Sequence, residues 1–181
     1  MKADLKKKIE IPNGVNVELV GSNLKVKGPK GEIERNFLHP KMKVIIEGKL
    51  VVLSCDKASK KEKTILGSYT AHLKNIISGV QNPHVYKLKI CSGHFPMNVA
   101  VAGNELIIKN FFGEVVPRKV DLVKGAEVKV NGNDITVTSP DKEIAGLMAA
   151  KIENLCRITK RDIRIFQDGC YITHKSGKSV I

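Results

Sequence analysis

The sequence has 181 residues, enough for one ordinary domain or two small ones, and its 42% hydrophobic and 27% charged residues exclude general disorder. Thirty-one Lys and Arg against 18 Asp and Glu give a net charge of +13, which favours a polyanionic partner. The chain has only three Tyr and five Phe and lacks Trp. We therefore expect phosphate contacts and not stacking of unpaired bases on aromatic side chains.

The N-terminal region gives no sign of export. Residues 1–8 are basic and lack the apolar core of a secretory signal, so we expect a cytosolic protein. No run of about 18 apolar residues occurs, which excludes a transmembrane helix, and we expect no membrane partner. The cysteines form no CxxC pair, and we predict reduced, mostly buried thiols at Cys55, Cys91, Cys156 and Cys170.

The chain contains an internal repeat. Residues 16–32 match residues 98–114 at an offset of 82, and identical residues include Gly21 and Gly103. A period of about 80 residues is too long for a solenoid, so the repeat indicates a duplicated domain. We therefore predict two domains, residues 1–86 and residues 87–181.

Each repeat contains short alternating runs of apolar and polar residues separated by turn residues, which is typical of antiparallel hairpins. In the first repeat, Gly21-Ser22-Asn23 and Gly28-Pro29-Lys30-Gly31 are the predicted turns, and the strand runs are residues 15–19, 24–27, 32–37, 44–46 and 50–53. In the second repeat, Asn131-Gly132 between residues 128–130 and 135–137 is a strong hairpin signal.

Apolar residues at three- and four-residue steps then predict one amphipathic helix in each repeat. The expected buried faces are Ile65, Leu66, Tyr69, Leu73, Ile76 and Ile77, and Ile144, Leu147, Met148, Ile152 and Leu155. Ser139 is the predicted N-cap of the second helix, with Pro140 at its first position. Weak alternation over residues 162–172 predicts a final strand. The fold class is α+β: two duplicated domains, each an antiparallel β-sheet packed with one α-helix.

No motif supports catalysis, a cofactor or a metal. Gly177-Lys178-Ser179 lacks the upstream glycine and the following helix of a nucleotide-binding loop. The five histidines have no partner at ligand spacing, and no GxSxG elbow is present. We predict no catalytic residue, no cofactor, no metal site and no small-molecule substrate.

Arginine clusters near the C-terminus. Arg157, Arg161 and Arg164 lie within eight residues, Lys160 stands among them, and Lys175 and Lys178 follow. Clustered arginine suggests a shaped phosphate contact, because its planar guanidinium matches phosphate geometry. This segment is the candidate binding surface, and a solvated basic face without a partner is the alternative.

Four stretches of the sequence carry a family resemblance. They are residues 26–31 (VKGPKG), residues 94–99 (HFPMNV), residues 110–114 (NFFGE) and the closing residues 160–172 with Lys175 beyond them. Together with the duplicated α+β unit, they resemble the large-subunit ribosomal protein L6 family in its archaeal and eukaryotic form. Asn154 and Cys170 depart from that pattern, since glutamine and an aliphatic residue are usual there.

The resemblance implies a structural constituent of the large ribosomal subunit that acts in translation in the cytoplasm. It implies binding to large-subunit rRNA near the sarcin-ricin loop and the stalk base, mainly through the C-terminal domain. Neighbouring large-subunit ribosomal proteins would be partners, and translation factors would dock nearby. The alternative is a non-ribosomal basic RNA-binding module or an RNA-processing factor.

The resemblance also implies site residues. The RNA-facing side chains would be Lys160, Arg161, Arg164 and Lys175, with Tyr171 as an edge or stacking contact, and charge alone adds Arg157 and Lys178. Alternation along the predicted last strand directs Phe166 and Ile172 toward the core. Asp168-Gly169 is expected to form a turn.

Overall fold

In the computed structural model, which describes residues 3–180, the chain folds into two units, Met1–Pro83 and His84–Ile181. Each unit packs one α-helix against antiparallel sheets, which confirms the predicted α+β class and its duplication. Neither helix within the described residues combines the length and the apolar composition needed to cross a bilayer.

The first unit has two three-stranded sheets, with strand orders β1-β6-β5 and β2-β3-β4. Its elements are β1 (Ala3–Glu10), β2 (Asn16–Val20), β3 (Asn23–Gly28), β4 (Gly31–Asn36), β5 (Met42–Glu47), β6 (Leu50–Ala58) and α1 (Lys60–Gln81). Alternation in β3 buries Leu24 and Val26 and exposes Lys25 and Lys27, so one face of the sheet joins the core.

The second unit repeats this plan and extends it. Its elements are β7 (His84–Cys91), β8 (Asn98–Ala102), β9 (Glu105–Lys109), a 3₁₀ turn (Phe111–Gly113), β10 (Arg118–Asp121), β11 (Glu127–Asn131), β12 (Asp134–Ser139), α2 (Lys142–Leu155), β13 (Gly169–Lys175) and β14 (Lys178–Ser179). The sheets have the orders β10-β9-β8 and β11-β12-β7-β13-β14. The corresponding sheet of the first unit ends at β1, the counterpart of β7. In the second unit, β13 and β14 add two strands beyond β7.

The repeated glycines occupy equivalent hairpin turns. Gly21, between β2 and β3, and Gly103, between β8 and β9, have φ angles of 64° and 62°. Gly48 and Gly132, in the hairpins before each helix, both have φ of 58°. Residues with a β-carbon rarely adopt this left-handed backbone conformation. Both copies of the repeat therefore have glycine at these turns.

The predicted start and face of the second helix are wrong in detail. Asp141 is the N-cap, and its carboxylate accepts a hydrogen bond from the Glu143 N–H at 2.8 Å. Ser139 ends β12, and its hydroxyl accepts the Asp141 N–H at 3.2 Å. Leu147 is 52% exposed, and the buried stripe instead consists of Ala145, Met148, Ala149 and Ile152.

The predicted strand over residues 162–172 is also wrong in its first half. The Asp162 carbonyl accepts the N–H groups of Ile165 and Phe166 at 3.2 and 2.9 Å, which closes a turn, and the strand begins only at Gly169. Phe166 is half-buried outside the core, whereas Ile172 packs against its edge as predicted. The predicted turn at Asp168-Gly169 does not form, because Asp168 is buried and Gly169 starts β13.

The β3–β4 turn packs closely against the end of α1. The Lys30 N–H donates to the Val80 carbonyl at 3.0 Å. A methyl group added at Gly28 would lie 2.8 Å from Val80 Cβ, Cγ2 and O. Backbone and side chain of Val80 thus occupy the space that any larger residue at Gly28 needs.

The start of α1 holds a buried carboxylate. Glu62 accepts hydrogen bonds from the Ser59 hydroxyl, from the Ser59 N–H at 2.9 Å and from the Lys41 ammonium at 3.1 Å. The Ser59 hydroxyl is the main cause that lowers the pKa of Glu62 from 4.5 to about 2, and Lys41 adds to it. The charged form of Glu62 therefore stabilises the first unit.

We expect Gly28→Ala to lower the free energy of unfolding by about 1–3 kcal/mol, because the added methyl overpacks Val80. Gly67→Ala is the matched control. Gly67 lies inside α1 with no atom within 4 Å of the added methyl, so alanine there raises stability by about 1 kcal/mol. Urea unfolding followed by circular dichroism measures both, and equal stabilities for the two variants would contradict the packing argument.

We expect the stability that Glu62 contributes to be present above about pH 4.5 and to be lost as the pH falls toward about 2, since its pKa is lowered on folding. Glu62→Gln should be less stable than wild type at pH 7, and the difference should shrink across this pH range. Urea midpoints at a series of pH values measure it. Glu47→Gln, at an exposed position in β5, is the control. A Glu62→Gln deficit that does not change with pH would contradict the assignment.

Candidate nucleic-acid interface

The segment between α2 and β13, residues 156–168, holds four of the predicted site residues and is here termed the basic loop. Arg157, Lys160, Arg161 and Arg164 are all exposed on it. In the first unit, only Asn82 and Pro83 follow α1 before the unit ends, so the basic loop has no counterpart there.

Two phenylalanine rings hold the Arg161 guanidinium. Its central carbon lies 4.9 Å from the ring centroid of Phe112 and 5.0 Å from that of Phe166. The two rings are 5.7 Å apart and nearly perpendicular, at 73°. A cation over aromatic faces is attracted by the ring quadrupole and loses freedom of movement. Arg161 is therefore an exposed cation that contacts two aromatic rings.

Left-handed backbone conformations flank this contact. Lys160, directly before Arg161, has φ of 60°, and Asn110 and Phe112 in the facing turn have φ of 59° and 50°. Such conformations are uncommon for residues with a β-carbon and persist where surrounding contacts impose them. Both sides of the contact between Arg161 and Phe112 are thus shaped by sharp backbone turns.

A buried carboxylate fastens the end of the basic loop. Asp168 is 3% exposed and accepts the N–H groups of Gly93 and His94 at 2.5 and 3.2 Å. Its carboxylate also lies 3.3 Å from Nδ1 of His94, whose ring stacks on Phe166 at 4.9 Å. Burial by itself raises the pKa of Asp168, but the hydrogen bonds from Gly93 and His94 outweigh it and keep the pKa below its ordinary value.

Arg164 is paired within the loop. Its guanidinium donates to both carboxylate oxygens of Asp162 at 3.1 and 2.8 Å, and the same carboxylate accepts the Arg164 N–H at 2.9 Å. The hydrogen bond from the Arg164 side chain lowers the pKa of Asp162, so this pair is ionised at neutral pH. No ion pair within residues 3–180 involves Arg157, Lys160 or Arg161.

The Arg118 guanidinium is paired with groups of the protein itself. It makes a bidentate pair with Glu114 at 2.8 and 2.6 Å, lies 4.1 Å from the Phe111 ring centroid, and donates to the Leu155 carbonyl at 2.8 Å. The hydrogen bond from Arg118 lowers the pKa of Glu114. Arg118 therefore ties the loop before β10 to the C-terminal end of α2.

The remaining predicted residues lie on β13 and β14. Tyr171, near the start of β13, lines a cavity of about 1150 Å³ together with Arg157. Lys175 and Lys178 are paired across the β13–β14 hairpin and are both exposed. Lys175 is four residues beyond Tyr171, or about 13 Å along a strand. The structure therefore brings Tyr171 to the basic loop and leaves the two lysines at the far end of the strand.

Sequence reasoning missed the residues that position Arg161. These are His94, Phe112, Phe166 and Asp168, which form one chain of contacts. A signal was present, because four of the five phenylalanines (Phe95, Phe111, Phe112 and Phe166) fall in the second unit. Low aromatic content in the whole chain concealed their local concentration.

Net charge does not identify the interface. The first unit has sixteen Lys and Arg against eight Asp and Glu, a net +8, and the second has fifteen against ten, a net +5. What distinguishes the second unit is the arrangement of its arginines. Among the described side chains, no group of three or more His, Cys, Asp or Glu is placed to hold a metal ion.

Comparison with known proteins gives consistent matches along the chain. The family model of ribosomal protein L6 matches residues 11–82 and residues 95–169. The large ribosomal subunit protein uL6 of Nanoarchaeum equitans is 40% identical, over 98% of this chain and 96% of its own length. The uL6 proteins of Methanosarcina mazei and Methanocella arvoryzae are 42% and 41% identical, each over 97% of this chain and 100% of their own length.

Proposed function

The chain belongs to the ribosomal protein L6 family, and from that membership we propose that it binds large-subunit rRNA through the basic loop and the start of β13. It is a structural, non-enzymatic constituent of the large ribosomal subunit and acts in translation in the cytoplasm. Matches over nearly the full length of large-subunit proteins disfavour the alternatives of a non-ribosomal RNA-binding module or an RNA-processing factor.

The observation that carries the proposal is the fixed position of Arg161. A lysine or arginine that moves freely in water must lose conformational entropy when it binds a phosphate. Contacts with the Phe112 and Phe166 rings restrict the Arg161 guanidinium before RNA binds, which lowers this entropic cost. Its N–H groups remain available to RNA phosphate oxygens, which a planar guanidinium contacts in pairs.

Three further cations belong to the proposed site. Arg157 and Lys160 flank Arg161 in the sequence and are exposed, and Arg164 lies beyond it with its Asp162 partner. A-form RNA hides the base edges of its deep major groove, so a protein surface of this kind recognises phosphates, 2′-hydroxyls and RNA shape. Lys175, about 13 Å from Tyr171 along β13, and Lys178, its partner on β14, are proposed to contact a more distant part of the same RNA.

For the location on the subunit, we propose the region near the sarcin-ricin loop and the stalk base. The resemblance of residues 160–172 and Lys175 to the family signature supports this location. Neighbouring large-subunit proteins near the stalk base are the proposed protein partners. Translation factors are proposed to dock nearby and not on the basic loop, which is occupied by rRNA.

We expect Arg161→Ala and Arg164→Ala to weaken binding to an rRNA fragment that contains the sarcin-ricin region. Each lost phosphate contact lowers the slope of log affinity against log salt by about 0.7–0.9, because fewer counterions are released. Lys60→Ala, at an exposed position in α1, is the matched control and leaves the slope unchanged. Fluorescence anisotropy over a salt series measures all three. Equal losses for Lys60→Ala and Arg161→Ala would refute the assignment.

We expect Asp162→Asn to strengthen binding to the same fragment by about 1.5- to 5-fold, the range of an exposed ion pair. The amide oxygen still accepts the Arg164 N–H, so the turn is kept, while the charge that competes with phosphate for Arg164 is removed. Glu105→Gln, which removes an exposed carboxylate paired with Lys119 on β10, is the control for net charge. Equal gains from both variants would show that net charge alone is responsible.

A further inference from the structure

The basic loop contains two apolar side chains that phosphate binding does not explain. Ile163 and Ile165 are 69% and 64% exposed, on either side of Arg164. Exposed isoleucines are unfavourable in water and become favourable when a partner covers them. Both line the cavity of about 1150 Å³ that Arg157 and Tyr171 also line.

Buried cysteines and one tyrosine ring line the cavity. The cysteines are Cys156 and Cys170. The Tyr171 ring packs against Gly169, where an added methyl group would lie 3.3 Å from Cζ and the phenol oxygen. The Ile172 N–H donates to the Glu153 carboxylate at 3.0 Å, which fixes this part of β13 against α2. Tyr171 is 39% exposed and therefore presents part of its ring to an occupant.

The cavity lining contains Glu153, Asp168 and one arginine, Arg157, so a phosphate group can pair with it only at Arg157. Its two carboxylates already have partners in the protein, since Asp168 accepts the Gly93 and His94 N–H groups and Glu153 accepts the Ile172 N–H. Arg157 makes no ion pair within the part of the chain that the structure describes. Burial raises the pKa of Tyr171, so its phenol stays protonated at neutral pH and acts as a hydrogen-bond donor.

We propose that this cavity receives one unpaired nucleotide of the bound RNA, with the base against Tyr171, Ile163 and Ile165 and the phosphate beside Arg157. This inference rests on the proposed rRNA-binding function. An unpaired base has an apolar face that a paired base in a helix conceals, and RNA-binding proteins recognise such bases by stacking and edge contacts. The cavity exceeds the roughly 300–1,000 Å³ of ordinary small-ligand pockets, so a nucleotide fits together with its backbone.

The test separates apolar contacts from electrostatic ones. The full chain is titrated with the rRNA fragment over a salt series, as wild type, as Ile163→Ser/Ile165→Ser and as Tyr171→Ala. We expect each variant to bind about 5-fold or more weakly at every salt concentration, with the salt slope unchanged, because no charge is removed. Tyr171→Phe keeps the ring and should retain most of the affinity.

The matched control is Val115→Ser/Val116→Ser. These residues are 96% and 77% exposed on the loop before β10 and do not line the cavity. Their substitution should leave affinity unchanged. If the isoleucine variant binds as tightly as wild type while Arg161→Ala still lowers the salt slope, the nucleotide pocket is refuted and the rRNA-binding function stands. If wild type prefers the fragment no more than a generic duplex of equal length, both are refuted.

Ultraviolet crosslinking supplies a second readout. Zero-length crosslinks form between a base and the side chain that it contacts, so we expect a nucleotide adduct on Tyr171 in the complex with the fragment. Adducts confined to other residues would overturn the proposal. Normal RNA affinity of Ile163→Ser/Ile165→Ser together with poor incorporation into large subunits would identify a protein as the occupant, and this outcome would also overturn it.

Discussion

The hydrogen bonds to the Asp168 carboxylate are the constraint on which the geometry of the candidate interface depends. A buried carboxylate is unfavourable unless donors satisfy it, and here the Gly93 and His94 N–H groups and the His94 ring do so. Because these donors lie between β7 and β8, Asp168 binds the end of the basic loop to the sheet. His94 in turn stacks on Phe166, and Phe166 contacts Arg161. The position of the surface cation is therefore set by a buried anion several residues away.

The two units share a duplicated scaffold of hairpins and one helix. The candidate interface lies on segments in which the two copies differ. The hairpins and helices recur in both units, but a two-residue turn joins β3 and β4 whereas residues 110–117 join β9 and β10. This longer connection supplies Phe112 to Arg161 and Glu114 to Arg118. The basic loop and β13–β14 are the other additions. Elements specific to the second copy thus contact one another, and the proposed binding surface lies on them although this unit has the smaller net charge.

Local sequence rules predicted most of the scaffold, because hairpins and amphipathic helices depend on neighbouring residues. The glycine turns and the buried faces of β3 and α1 follow this rule. The strand predicted over residues 162–172 failed because Asp162 closes a turn with its own neighbours, which alternation does not reveal. The cations of the candidate site were predicted from their clustering. Phe112 and Asp168, which support these cations, were missed. Phe112 contacts Arg161, and Asp168 accepts the Gly93 N–H, in each case across more than 40 residues of sequence.

A net charge of +13 attracts any RNA regardless of its sequence, so affinity alone does not define the place of the protein in a ribonucleoprotein particle. Phosphate contacts are largely independent of sequence, and selectivity requires features that fit only one RNA shape. Fixed cations provide such a feature, because a guanidinium held by Phe112 and Phe166 contacts only phosphates that reach its position. Contacts without charge provide another, since their contribution persists at salt concentrations that weaken general binding. The side chains proposed for both kinds of contact lie in the same part of the second unit. That unit has the smaller net charge, +5 against +8, so the arrangement of its side chains and not its charge distinguishes it.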